Sequence, residues 1–181
     1  MRDNGKGQKA VVQRDALLSQ GIFLAVCFVF FLSAGRYVLV FQESQSLFIW
    51  SVEYFRPFLA EPGGLLRYAG AFLTQFYAGE VVGPLILAVS LTLPATVLHG
   101  ITRRLFPSGP NSWVFPLLPS CLLWTLQVNL YHEMAYNLGF LLVLLFYLLS
   151  VSPGGKVRHA LAMGLIPLLY FLAGAYAIVF G

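Results

Sequence analysis

The sequence predicts an all-α polytopic membrane protein of about five transmembrane helices, with two amphipathic interfacial helices between the first and the second. Three observations carry that expectation. Of 181 residues, 59% are apolar and 10% charged, whereas a soluble domain is ~45–50% apolar and ~25% charged. The apolar residues gather into runs close to the ~20 residues a helix needs to cross a bilayer. Basic and acidic residues then fall on opposite sides of those runs. Mean hydropathy is +0.79, and this composition excludes a soluble enzyme, a disordered tail and a disulfide scaffold. The net charge of +4 and pI near 9.2 are what basic cytoplasmic loops produce in a membrane protein. Lys6, Lys9 and Arg14 are too sparse for nucleic acid and suit anionic headgroups instead. Cys27 and Cys121 stand inside apolar runs and read as small buried hydrophobes.

Residues 1–16 read as a basic cytoplasmic N-terminus and 17–181 as one helical membrane domain. The expected spans are about 17–41, 81–101, 112–129, 134–151 and 160–180, with an extracytoplasmic collar over 42–80. Arg36 lies near the end of the first run, where its guanidinium can snorkel to the headgroups. That run continues past the small residues Ser33-Ala34-Gly35, so it is expected to be a retained span rather than a cleaved signal peptide. Arg103-Arg104 stop the second run. Pro116 and Pro119 shorten the third, and Pro84, Pro94 and Pro167 are tolerated as kinks where neighbours satisfy the freed carbonyls.

Charge sets the expected orientation. Arg2, Lys6, Lys9, Arg14, Arg103, Arg104, Lys156 and Arg158 fall on one side, which the positive-inside rule makes cytoplasmic. Glu43, Glu53, Glu61, Glu80 and Glu133 fall on the other. The N-terminus is then cytoplasmic and the C-terminus extracytoplasmic, in a cell inner membrane. An odd number of spans, ending on an apolar run, suggests the N-terminal part of a larger protein.

The collar is not a polar loop. Taken as a helix, Phe48, Val52, Phe55 and Leu59 form one face, and Glu53 and Arg56, three apart on the other side, are placed to pair. Pro62-Gly63-Gly64 breaks the chain. Leu65, Ala69, Phe72 and Phe76 then form a second apolar face, opposed by Arg67, Thr74 and Gln75. With Trp50, Tyr54, Tyr68 and Tyr77 at headgroup depth, this describes two helices lying on the outer leaflet. Such a collar either packs on the bundle without chemistry or roofs a lipid-facing cleft that presents Glu43, Glu53, Arg67 and Gln75 to an amphiphile.

The segments Glu43-Ser44-Gln45-Ser46-Leu47-Phe48, Glu53-Tyr54-Phe55, Pro62-Gly63-Gly64-Leu65, Tyr68 and Phe72-Leu73-Thr74-Gln75-Phe76 resemble the opening of a family of bacterial polytopic membrane proteins defined only as a domain of unknown function. That resemblance implies further spans and a missing C-terminal part, and no activity. A looser architectural likeness is to polytopic glycosyltransferases of the GT-C type, which use lipid-linked sugars and carry a catalytic acid early in a long outer loop. It implies that Glu43, with Glu53 second, takes a proton from the acceptor hydroxyl or holds a metal against the donor phosphate. Those enzymes usually show an Asp paired with another acid, whereas Glu43 stands among Gln and Ser.

A second polar group, Tyr131-His132-Glu133 between Asn129 and Asn137, forms the outer turn between spans three and four. It reads either as a solvated turn or as a metal site or acid/base pair facing the collar. It is not the H-E-x-x-H zinc signature, because position 136 is Tyr. The cofactor is left unknown, no metal-ligand set is assigned, and phosphate-loop, dinucleotide and hydrolase-elbow motifs are absent. Spans two, four and five carry almost no polar residue at mid-depth, which argues against transport.

The expected role is therefore a structural or accessory component of the bacterial cell envelope, in contact with the bilayer and with partner membrane subunits. The alternative is glycosyl transfer from a lipid-linked substrate at the outer face. Its candidate catalytic residues are Glu43, Glu53, Arg67, His132 and Glu133, gathered on one cleft.

Overall fold

The computed structural model describes residues 4–106, 114–151 and 156–174. All regular structure there is helical: α1 (Asn4–Leu32), α2 (Arg36–Gln45), α3 (Val52–Ala60), α4 (Gly64–Thr74), α5 (Val82–Leu105), α6 (Val114–Gln127), α7 (Met134–Val151) and α8 (Lys156–Ala173). A 3-10 turn, Gln75–Ala78, follows α4. Among the described residues, three helical segments are long and apolar enough to cross a membrane: Arg14–Leu32, Val82–Leu105 and Met134–Val151. Val114–Gln127 is apolar but shorter.

The first expected span, 17–41, is broken. Helix α1 ends at Leu32 because the chain turns back on its own last turn. Gly35 N–H donates to the Phe30 carbonyl at 2.8 Å and Ser33 Oγ to the Val29 carbonyl at 2.7 Å. A new helix starts at Arg36, and its guanidinium donates to the Glu80 carbonyl at 3.1 Å just before α5. The run of apolar residues across 33–41 concealed this corner.

The helix expected from Phe48 starts only at Val52. Ser51 caps it, accepting from Tyr54 N–H at 3.0 Å, which satisfies one of the free donors of the first turn. Phe48 stands before the helix and packs its ring on Tyr54, Tyr68 and Phe72, with centroids 5.6, 5.1 and 5.5 Å away. Phe55 meets Tyr68 at 4.7 Å. Aromatic pairs of this kind contribute ~0.5–1.5 kcal/mol each beyond burial, and they hold α3 against α4. Glu53 and Arg56 are both exposed and form no ion pair.

The side of α4 that packs on the bundle is distinct from its apolar stripe. Leu66, Gly70 and Thr74 are inward, while Ala69 and Phe76, on the expected apolar face, are exposed. Gly70 decides this. A Cβ there would lie 2.9 Å from the Ala135 backbone nitrogen, so only glycine lets α4 lie this close to the start of α7.

Helix α5 is the centre of the bundle and packs against α1, α6 and α7. Its Leu87, Ala88 and Leu91 join Phe23, Cys27, Phe31, Leu39, Tyr77, Leu123 and Met134 in the main core. Gln20, the polar interruption of α1, is satisfied there by the Thr96 hydroxyl at 3.2 Å. A second cluster gathers Leu66, Val143, Phe146, Leu169 and Ala173 between α4, α7 and α8.

Contacts at the helix ends show how the helices alternate. At one end Gly63 N–H donates to the Phe171 carbonyl at 3.0 Å. Gly63 (φ 78°) and Gly174 (φ 61°) meet backbone to backbone at that contact. At the opposite end Arg104 donates to the Leu148 carbonyl at 3.0 Å, supplying a partner to one of the last carbonyls of α7. The ends of α1, α6 and α8 and the starts of α5 and α7 therefore share one end of the bundle with α2, α3 and α4. The second Pro-Gly-Gly, 153–155, and the expected span residues 175–180 lie outside the described residues.

Candidate functional site

Four polar side chains close into a ring beneath that end. In α2 the inward stripe is Val38, Leu39 and Gln42. In α6 it is Pro116, Ser120, Leu123 and Gln127, spaced i, i+4, i+7, i+11, which is the spacing of one helix face. In α7 it includes Met134 and Asn137. The stripes of α2 and α6 end on an amide and that of α7 carries one near its start, where the three helices meet. Gln127 and Asn137 are 0% and 1% exposed, and Gln42 is 8%.

The hydrogen bonds run in one direction around the ring. His132 Nε2 lies 3.1 Å from Asn137 Oδ1. Asn137 Nδ2 donates to Gln127 Oε1 at 2.6 Å, and Gln127 Nε2 to Gln42 Oε1 at 3.1 Å. Gln42 Nε2 returns to the His132 carbonyl at 2.8 Å. The His132 carbonyl can only accept, which fixes the Gln42 amide and with it the direction of the ring; the Asn137 oxygen then accepts, and His132 Nε2 carries the proton. Buried amides without such partners would cost ~1–3 kcal/mol each; here each is satisfied, and bonds in a chain strengthen one another.

The turn from α6 to α7 is shaped locally. Asn129 Oδ1 accepts from Tyr131 N–H at 3.0 Å, and the Asn129 carbonyl accepts from His132 N–H at 3.1 Å, the side-chain turn that Asn favours. Burial pushes His132 below the ordinary imidazole value; its bond to Asn137 and the neighbouring Glu133 carboxylate pull the other way. Next to the ring, the Tyr77 hydroxyl donates to Met134 Sδ at 3.3 Å. Burial raises that phenol's pKa, so it stays a proton donor.

Above the ring opens a cleft of about 560 Å³, within the ~300–1,000 Å³ of small-molecule sites. One wall comes from α2 and the chain after it, with Phe41, Gln42, Gln45, Ser46 and Leu47. A second comes from α3 and α4, with Tyr54, Phe58, Arg67, Gly70, Ala71 and Thr74. The third is the α6–α7 turn, with Leu130, Tyr131, Glu133, Met134 and Ala135. Gln42 belongs to both ring and cleft, so the ring fixes the cleft floor.

The sequence candidates divide. Arg67 and Glu133 line the cleft. Arg67 pairs with Glu61 and lies over the Phe58 ring, 5.9 Å from its centroid. His132 is in the ring below, and its carbonyl takes the Gln42 bond. Glu43, next to Gln42 on α2, and Glu53, exposed in the first turn of α3, are not among the lining residues. Among the described residues no three His, Cys, Asp or Glu side chains group as metal ligands. Sequence reasoning missed Gln42 and Gln127. The available signal was an amide at the edge of each apolar run, where a polar group is costly and needs a partner.

The sequence pattern of DUF6057, a family of unknown function, matches residues 12–181. The chain belongs to that family. The match takes in α1 from residue 12 onward, α2 to α8, and both the ring and the cleft. No curated protein and no solved structure matches the chain.

Proposed function

We propose that this DUF6057 chain is an inner-membrane component of the bacterial cell envelope whose outer end holds the polar head of a membrane amphiphile. In this reading α1, α5, α6, α7 and α8 are five crossings, with the N-terminus cytoplasmic. Helices α3 and α4 are the interfacial collar. The alternating helix directions support it, as does the charge pattern: Arg103 and Arg104 close α5 at the end opposite Glu61 and Glu133. The observation that carries the functional part is the cleft itself. It opens at the collar end, mixes Arg67 and Glu133 with aromatic walls, and rests on a hydrogen-bonded floor.

Along one rim the cleft continues into exposed apolar chain. Leu47 lines the cleft and is 82% exposed, followed by Ile49 and Trp50 at 59% and 79%. Apolar residues of this kind at a headgroup boundary suit the contact of an acyl chain. The glycosyl-transfer alternative depends on Glu43 or Glu53, and the absence of both from the lining favours binding over that chemistry. The role proposed is thus structural or accessory, with a bound lipid.

The test is lipid retention. Ala71→Trp fills the cleft, whereas Leu122→Trp changes a bundle surface that is 64% exposed. Native mass spectrometry of the detergent-purified protein is expected to show a phospholipid adduct in wild type and Leu122→Trp, and its loss in Ala71→Trp. Equal adducts in all three would overturn the reading.

A further inference from the structure

The cleft is lined by two charged side chains of opposite sign from distant parts of the chain. Arg67 comes from the first turn of α4 and Glu133 from the residue before α7. Their surroundings differ. Arg67 shares its guanidinium with the Glu61 carboxylate, yet a guanidinium has five N–H donors in a fixed fork, so several remain for an anion. Planar two-point recognition of a phosphate is the chemistry for which arginine is best suited. Glu133 makes no ion pair with any described residue. Its neighbour His132 is biased toward the neutral form by burial. The exposed Tyr131 ring lies next to it in the lining, and Tyr54 is on another wall. A carboxylate among aromatic rings is the arrangement that holds an ammonium group.

Resting on the cleft-binding reading above, we infer that the occupant is a zwitterionic phospholipid head, with its phosphate on Arg67 and its ammonium on Glu133. Charge complementarity selects this class. Arg67 and Glu133 together are neutral, and Glu61 beside Arg67 adds a further negative charge. A head of net negative charge, such as a glycerol phosphodiester, meets an excess of carboxylate. A head that carries its own ammonium meets one partner for each charge. The Tyr54 hydroxyl is held back by its bond to the Leu47 carbonyl at 2.7 Å, which leaves the face of that ring as its contribution.

The experiment titrates the purified protein with phosphatidylethanolamine and, separately, with phosphatidylglycerol of the same acyl chains, reading bound lipid by native mass spectrometry. Wild type is expected to prefer phosphatidylethanolamine by about tenfold, the equivalent of one charge-assisted contact of ~1.4 kcal/mol. Glu133→Gln is expected to bring that preference to near unity and Glu133→Asp to keep most of it. Arg67→Gln is expected to weaken both lipids. Equal binding of the two lipids by wild type, or an unchanged preference in Glu133→Gln, with Ala71→Trp abolishing both, overturns the headgroup assignment and leaves the cleft-binding reading standing. Binding of both lipids undiminished by Ala71→Trp overturns the two together.

Discussion

Asn137 Nδ2 on α7 donates to Gln127 Oε1 on α6 across 2.6 Å, with both side chains buried. This bond joins two helices whose connecting turn forms one wall of the cleft, and it hands the polarity of the ring on to Gln42. Removing either partner leaves the other's amide stranded. Asn137→Leu and Gln127→Leu are each expected to cost ~1–3 kcal/mol, read as a lowered thermal transition in detergent. The double variant is expected to fall short of the sum by ~0.5–3 kcal/mol, since it removes both members of the pair. Strict additivity would mean that the ring does not act as a unit.

Gly63 joins α3 to α4 at φ 78°, and its Cβ position lies 3.2 Å from the Ala173 carbonyl. An L-residue in the left-handed region costs ~1–2 kcal/mol, and here the added methyl also presses on α8. Gly63→Ala is expected to lower the thermal transition and to expose the α4–α8 contact to hydrogen exchange. Gly21→Ala provides the contrast, because nothing lies within 4 Å of a Cβ on that α1 residue. It is expected to be neutral or to stabilise by up to ~1 kcal/mol.

Gly70→Ala tests the close approach of α4 to α7. The new methyl would fall 2.9 Å from backbone that cannot swing away, so α4 has to move outward. Overpacking of this kind costs ~1–3 kcal/mol. Since Gly70 and Ala71 both line the cleft, lipid retention is expected to fall along with stability. Loss of stability with full retention would separate the cleft from the α4–α7 contact.

Acid is expected to weaken the ring. His132 in the folded protein takes its proton below the ordinary value of 6.5, chiefly because of burial. Between that value and the lower folded one, the unfolded chain binds more protons, so stability rises with pH and is lost as pH falls. The thermal transition is expected to drop as pH goes from 7.5 to below 6.5. His132→Gln should flatten that part of the profile, and an unchanged slope in the variant would assign it to other groups.

The helical class and most of the long helices were legible because apolar runs and their charged ends are local signals. The corner at Ser33–Gly35 was not, since the residues after it are as apolar as those before it. The side of α4 that packs on the bundle was hidden for a related reason. Counting apolar side chains favours Phe72 and Phe76, whereas the close contact with α7 is made through Gly70, which no hydrophobicity scale rewards. Arg67, His132 and Glu133 stood out as polar residues in apolar surroundings. Gln42 and Gln127 did not, because their meaning depends on each other, 85 positions apart.

The central claim is that the ring and cleft form the outer end of the membrane bundle. Single cysteines at Ser44, exposed on α2, and at Phe106, which is 62% exposed at the end of α5, test it most directly in a Cys27→Ala, Cys121→Ala background. A membrane-impermeant maleimide is expected to label the Ser44→Cys variant in intact cells and the Phe106→Cys variant only after the membrane is opened. Labelling of the Phe106→Cys variant in intact cells, with the Ser44→Cys variant protected, would place the cleft on the cytoplasmic side and contradict the account.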